Sequence, residues 1–111
     1  MPSAGRLYEV IFDRAAQQDL KAIFDHIESR AGPTIAENFT TKLYQHCRKL
    51  ELVPERGTRR DELRRGLRTM GYRRRATILF EVDHKSHRVV ILGIYYSGRN
   101  YQNDFSEDTE E

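Results

Sequence analysis

The chain has 111 residues, 38% of them apolar and 32% charged, which is the length and balance of one folded domain rather than of a disordered segment. Its formal net charge is only +2, and its single cysteine, Cys47, excludes an internal disulfide. The longest apolar run, Val89 to Ile94, is far shorter than the ~20 residues of a membrane-spanning helix, and the N-terminal stretch lacks an apolar signal region, so a soluble, cytoplasmic protein is expected.

In chain order, Leu7 to Phe12 reads as a short strand, and Asp13 is placed to cap the helix behind it. Ala16, Leu20, Ile23, Phe24 and Ile27 recur at three- and four-residue spacing, which predicts an amphipathic helix of about four turns. Ala31-Gly32-Pro33 ends it, glycine suiting a helix C-terminus and proline the start of the next helix. Ala36, Phe39, Leu43, Cys47 and Leu50 make the stripe of a second helix that stops before Pro54. Helices joined by so short a link run antiparallel, and their stripes need a common surface to cover.

The C-terminal half supplies that surface. Leu67 to Tyr72 reads as a strand, with Gly71 marking the turn into its neighbour. Ala76, Ile78, Phe80 and Val82 alternate with Thr77, Leu79 and Glu81, the period-two pattern of a strand with one buried face. Asp83 to His87 is a polar turn, and Val89 to Tyr96, apolar on both faces, is an interior strand. The predicted fold is α+β in the order β-α-α-β-β-β: an antiparallel helical hairpin packed on a small, mainly antiparallel sheet. Residues 1–103 are expected to form the domain. Residues 104–111, with five acids and no base, are expected to be a flexible acidic tail.

The small net charge hides a strong asymmetry. Between Arg56 and Arg75 lie nine arginines against only Asp61 and Glu62, a local charge of +7 that leaves −5 for the rest. Such a run is either a solvated face or a patch for an anionic partner. Fifteen arginines against four lysines favour the patch, because guanidinium forks engage carboxylates and phosphates bidentately. Strand alternation puts Arg73 and Arg75 on one face and Arg74 on the other.

Most catalytic chemistry finds no footing. There is no glycine-rich phosphate loop and no Gly-x-Ser-x-Gly elbow, and Ser97 beside Gly98-Arg99 has no evident histidine partner. His26, His46, His84 and His87 are not spaced as a metal site and read as solvated or capping residues, while Cys47 reads as core. No metal or cofactor is expected. Metal-free RNA cleavage stays open. It needs a proton acceptor, a cation for the developing charge and a proton donor. The arginines and Tyr72, Tyr95, Tyr96 or Tyr101 could supply the last two, whereas Asp61 and Glu62, in a loop before the sheet, make a poor base.

Several local strings, in order, resemble the ParE/RelE superfamily of bacterial toxins from type II toxin–antitoxin modules. They are Arg14-Ala15-Ala16 with Asp19-Leu20, Ile23 and Ile27; Leu50 to Gly57, containing Pro54-Glu55-Arg56-Gly57; and Asp61 to Arg68. The strands Ile78 to Val82 and Val90 to Ile94, leading to Gly98-Arg99-Asn100, complete the set. The resemblance implies a toxin held inactive by an antitoxin whose C-terminal segment folds upon it. RelE-like members are ribosome-dependent mRNA endonucleases, and ParE-like members are described as poisons of DNA gyrase without that catalytic set.

This chain looks more like the ParE branch, in its long helical hairpin, its Pro-x-x-Gly element and the lack of histidine at Ile94-Tyr95-Tyr96-Ser97. The implied partners are DNA gyrase and an acidic ParD-like antitoxin, with no membrane; direct nucleic-acid binding is left open. The expected target or antitoxin surface is Arg64, Arg65, Arg68, Tyr72, Arg73, Arg74, Arg75 and Arg99, with no catalytic residue. A RelE-like endonuclease, using Arg73, Arg75, Tyr95, Tyr96 and Arg99, is the alternative, and a non-toxic basic binding module the third reading.

Overall fold

In the computed structural model, which describes residues 7–96, a first strand β1 (Glu9–Phe12) leads into α1 (Arg14–Ala31) and α2 (Pro33–Arg48). A 3₁₀ turn (Lys49–Glu51) follows, then β2 (Thr58–Arg59), β3 (Arg68–Tyr72), β4 (Ala76–Asp83) and β5 (Arg88–Tyr96). The strands form one sheet in the order β1-β5-β4-β3-β2. β1 lies parallel to β5, and the other pairs are antiparallel. The predicted order holds with one addition. β2 is a two-residue edge strand, exposed throughout, with no apolar pattern to announce it.

The helical hairpin is built as its sequence dictates. Gly32 takes φ 93° and its N–H donates to the Glu28 carbonyl at 2.9 Å, closing α1, and Pro33 opens α2. Asp13 occupies the N-cap position without a side-chain capping bond. Its backbone N–H instead donates to the Ile91 carbonyl at 3.0 Å and extends the β1–β5 ladder. Ala16, Ile23 and Ile27 of α1 and Ala36, Leu43 and Cys47 of α2 are buried in one core with Met70, Ile78, Phe80, Val89 and Ile91. Each large aliphatic in that set contributes about 1.5–3 kcal/mol by leaving water. Leu20, Phe24 and Phe39 lie on the same stripes but are half-buried and pack at the margin.

His46 is not the solvated or capping residue expected. Its ring packs 5.0 Å from that of Tyr72, and its Nε2 is buried without a hydrogen-bond partner among the described residues. Burial, helped by the nearby Lys49 charge, holds its pKa below the ordinary histidine value. Burial likewise pushes the Cys47 thiol up to about 12.

Two irregularities decide which side chains share a face. The first is a bulge in β5: Leu79 pairs with Gly93 but Phe80 with Ile91, so Leu92 is the extra residue. Past it the parity of β5 flips, and Ile94 and Tyr96 join the helix-side cluster with Ile91. This stretch of β5 runs beyond the end of β1, whose last partner is Ile91. Asp19 of α1 fills the gap, its carboxylate accepting the Ile94 N–H at 2.9 Å.

The second irregularity is the β3–β4 connection. Gly71 does not turn the chain; it pairs with Thr77 inside the ladder. The turn is made by Arg73 (φ 54°) and Arg74 (φ 59°), closed by the Arg75 N–H to the Tyr72 carbonyl at 2.9 Å. Residues 73–75 are therefore turn, not strand, and the expected alternation of Arg73 and Arg75 against Arg74 does not apply.

Two glycines shape the Arg56–Leu67 loop. At Gly57 (φ 79°) a Cβ would stand 2.1 Å from the Thr69 carbonyl oxygen, so only glycine lets the loop lie against β3. Gly66 (φ 84°) presents its N–H to Asp61 Oδ1 at 2.9 Å. An ion pair from Arg64 to Glu81, 3.0 Å long, ties this loop to β4.

Candidate anion-binding cleft

The +7 window does not form one patch. Within the Arg56–Leu67 loop and the start of β3 most arginines are spent locally. Arg59 pairs with Asp61 (2.8 Å), Arg60 with Glu62 (2.5 Å) and Arg64 with Glu81, while Arg68 donates to the Glu55 carbonyl at 3.1 Å. The Gly66 N–H, then Arg59, hold the Asp61 carboxyl below the usual carboxylate range, and Arg60 does the same for Glu62. These pairs order the loop rather than offer cations to a partner. Arg65 is exposed on the same loop.

Arg73, Arg74 and Arg75 are different. Among the described residues no carboxylate lies within ion-pair distance of any of them, or of Arg30. The turn leans over a cleft of about 820 Å³ between the end of the sheet and the helical hairpin. The hairpin contributes His26, Arg30, Ile35 and Phe39, the turn Arg73 and Arg75, and β5 contributes Tyr96. Ile35 is 54% exposed, so the cleft has an open apolar edge beside its cations.

Aromatic contacts position the cations. Tyr72 is buried against Phe39 (ring centroids 5.6 Å apart), and the Arg73 guanidinium sits 5.2 Å over the Tyr72 ring. Tyr96 meets Phe39 at 5.6 Å and His26 at 5.7 Å, both edge to face, and its hydroxyl accepts from Arg75 Nη1 at 3.2 Å. Tyr72 therefore anchors the turn from below instead of presenting its phenol.

The expected site residues thus separate. Arg73, Arg75 and Tyr96 come together, with Arg74 at the tip of the turn; Arg64, Arg65 and Arg68 lie on the loop and strand away from the cleft. Tyr95 pairs with Thr77 and lines a smaller pocket with Asp19 and Leu79, apart from Tyr96. Arg99, Tyr101 and the acidic tail lie outside the described residues. Sequence reasoning missed Arg30 and His26 as members. Their only signal is position, since each flanks the buried Ile27 on α1 on the side that faces the end of β5.

His84 is exposed in the turn after β4, as expected, and it also has specific partners. It bridges Glu55 (2.7 Å from Nε2) and the Tyr8 hydroxyl (2.6 Å from Nδ1), linking the loop before β2 to the residue before β1. No group of three or more histidine, cysteine or acidic side chains suited to a metal ion occurs among the described residues. No described helix is long and apolar enough to cross a membrane.

The molecule is thus a helical hairpin on a five-stranded mixed sheet, with a cationic cleft beside the Gly32-Pro33 junction of the hairpin. The sequence pattern for the ParE toxin of type II toxin–antitoxin systems (parDE) matches residues 10–101, and the chain belongs to that family. It is similar to a structure of a chromosomal ParDE system from P. aeruginosa, with 26% identity and a TM-score of 0.72 over 84% of this chain and 99% of that one.

Two further structures share the fold. One is the RelBE2 toxin–antitoxin complex from Mycobacterium tuberculosis, at 21% identity and TM-score 0.62, covering 86% of this chain and 97% of that one. The other is the isolated E. coli RelE toxin, at 16% identity and TM-score 0.53, covering 92% and 95%. No curated protein matches the chain.

Proposed function

We propose that this ParE-type toxin acts in the cytoplasm by inhibiting DNA gyrase and is neutralised by a ParD-like antitoxin. The match to the ParE family over residues 10–101 carries the reading, supported by the 26% identity to a ParDE system. The cleft fits a binding role. Its arginines lack carboxylate partners among the described residues, and its open edge is apolar, which suits an acidic segment that orders on binding and buries apolar anchors.

A second reading, ribosome-dependent mRNA cleavage of the RelE kind, draws on the meeting of Arg73, Arg75 and Tyr96 with the imidazole of His26. The deciding experiment incubates purified toxin with gyrase, supercoiled plasmid and ATP, and in parallel with ribosomes carrying message. Accumulation of gyrase-linked linear DNA, suppressed by the cognate antitoxin, supports inhibition. Message cleavage lost in Tyr96→Phe, with gyrase unaffected, overturns it.

A further inference from the structure

Residues 73 and 74 both hold φ above 50°, the backbone of a type I′ turn, where Asn-Gly is the comfortable pair. Arginine in that conformation is strained, and the strain persists only where something else requires the side chains. The core does not require them: both are exposed, and their one described packing contact is Arg73 over the Tyr72 ring. What the turn achieves is to set Arg73 and Arg75 in a cleft that already holds Arg30 and His26.

We infer that this cleft binds single-stranded nucleic acid directly, its arginines gripping successive phosphates while a base stacks at Tyr96. The inference concerns a ligand of the toxin itself and stands whether the target is gyrase or the ribosome. Three arginines around one cleft, Arg30, Arg73 and Arg75, with no carboxylate partner among the described residues, match a phosphodiester chain, which carries a charge at every nucleotide. The aromatic component points the same way. Tyr96 stands edge to face with Phe39 and His26, its hydroxyl held by Arg75, so its ring is fixed beside the cations. Cations flanking a held aromatic ring are the recurrent elements of single-strand sites. Deoxyribose and ribose strands share this phosphate-and-base chemistry.

The test titrates antitoxin-free toxin against fluorescein-labelled dT12 and, separately, U12, following anisotropy from 50 to 200 mM KCl. Binding is expected to weaken with salt at a log–log slope of about −2 to −3, as for three or four phosphate contacts on a single strand. Arg73→Ala and Arg75→Ala should each flatten the slope by about 0.7, while Arg59→Ala, whose guanidinium is paired with Asp61, should leave it unchanged. Tyr96→Phe should bind like the parent, and Tyr96→Leu about 5- to 100-fold more weakly.

Arg73→Asn/Arg74→Gly suits the turn better than the native pair, so it separates lost binding from lost folding. It should bind weakly while melting no lower than the parent. A stronger U12 than dT12 signal identifies an RNA site, and the reverse a DNA site. Absence of binding at 50 mM KCl overturns the inference. So does a slope unmoved by the Arg73 and Arg75 changes, or an acidic peptide that binds through these residues while neither oligonucleotide does.

Discussion

Gly57→Ala tests the account of how the loop before the sheet is held. The added methyl would sit 2.1 Å from the Thr69 carbonyl oxygen, where contact below 3.0 Å forces something to move. The atom in the way belongs to the β3 backbone, fixed on its other side by the ladder to β4, so it cannot swing aside as a side chain would. Relieving the clash therefore means displacing the loop by roughly an ångström and loosening the β2–β3 pairs Thr58–Thr69 and Arg59–Arg68. Overpacking of this kind costs about 1–3 kcal/mol, and alanine at φ 79° adds about 1–2 kcal/mol of left-handed strain. Gly66→Ala is the matched control: φ is 84°, but nothing lies within 4 Å of its Cβ, so only the strain applies. Urea denaturation followed by circular dichroism should place Gly57→Ala about 3–4 kcal/mol below the parent and Gly66→Ala about 1–2 below. Equal losses at the two positions would refute the close-approach argument.

Asp19→Ala should cost about 1–3 kcal/mol in the same urea assay, because the half-buried Ile94 N–H loses its acceptor; Asp19→Asn, which keeps a carbonyl oxygen there, should cost less than half as much. Cys47, with its thiol pushed up to about 12 and fully buried, should resist iodoacetamide at pH 8 in the folded protein and react once urea unfolds it; native-state labelling would show that α2 opens. The fold favours neutral His46, whose pKa lies below the ordinary 6.5, so it contributes stability above pH 6.5 that is lost as pH falls below that value. His46→Gln should flatten the melting-temperature profile between pH 7 and 5, whereas Asp61 and Asp83, whose pKa values are lowered by hydrogen bonds, act only at more acid pH. An unchanged His46→Gln profile would mean that the imidazole is solvated after all.

The sheet and hairpin were legible because their signals are periodic. The stripe from Ala16 to Ile27, the stripe from Ala36 to Leu50 and the alternation from Ala76 to Val82 each repeat several times, so one irregular residue does not erase them. The Gly32-Pro33 junction was equally plain, since few other pairs end one helix and start another. β2 left no trace because two exposed residues carry no period. Gly71 misled because glycine inside a ladder looks, in sequence, like glycine in a turn. The actual turn is made by two arginines, which the usual turn vocabulary does not include. Gly57 and Gly66 could be marked only as parts of a family string, since the φ and the close approach that require them depend on where β3 lies.

The cleft was less legible than the fold because single-residue displacements decide it. The Leu92 bulge alone determines that Tyr96, and not Tyr95, faces the hairpin. A two-residue turn determines that Arg73 and Arg75 reach the same cleft, where strand geometry would have sent Arg74 to the other face. Charge in the sequence was an equally poor guide to charge at the surface. Asp61 and Glu62 inside the +7 window and Glu81 after it pair with Arg59, Arg60 and Arg64, and the Glu55 backbone carbonyl takes Arg68, whereas Arg73 and Arg75 have no carboxylate partner among the described residues. The distinguishing physical mark is conformational. Paired loop arginines need no unusual backbone of their own, whereas Arg73 and Arg74 hold positive φ without glycine and without a carboxylate partner among the described residues. Strain and charge without a carboxylate partner among the described residues coincide at one turn, and that coincidence, more than the count of arginines, is the ground for proposing this cleft as a binding surface.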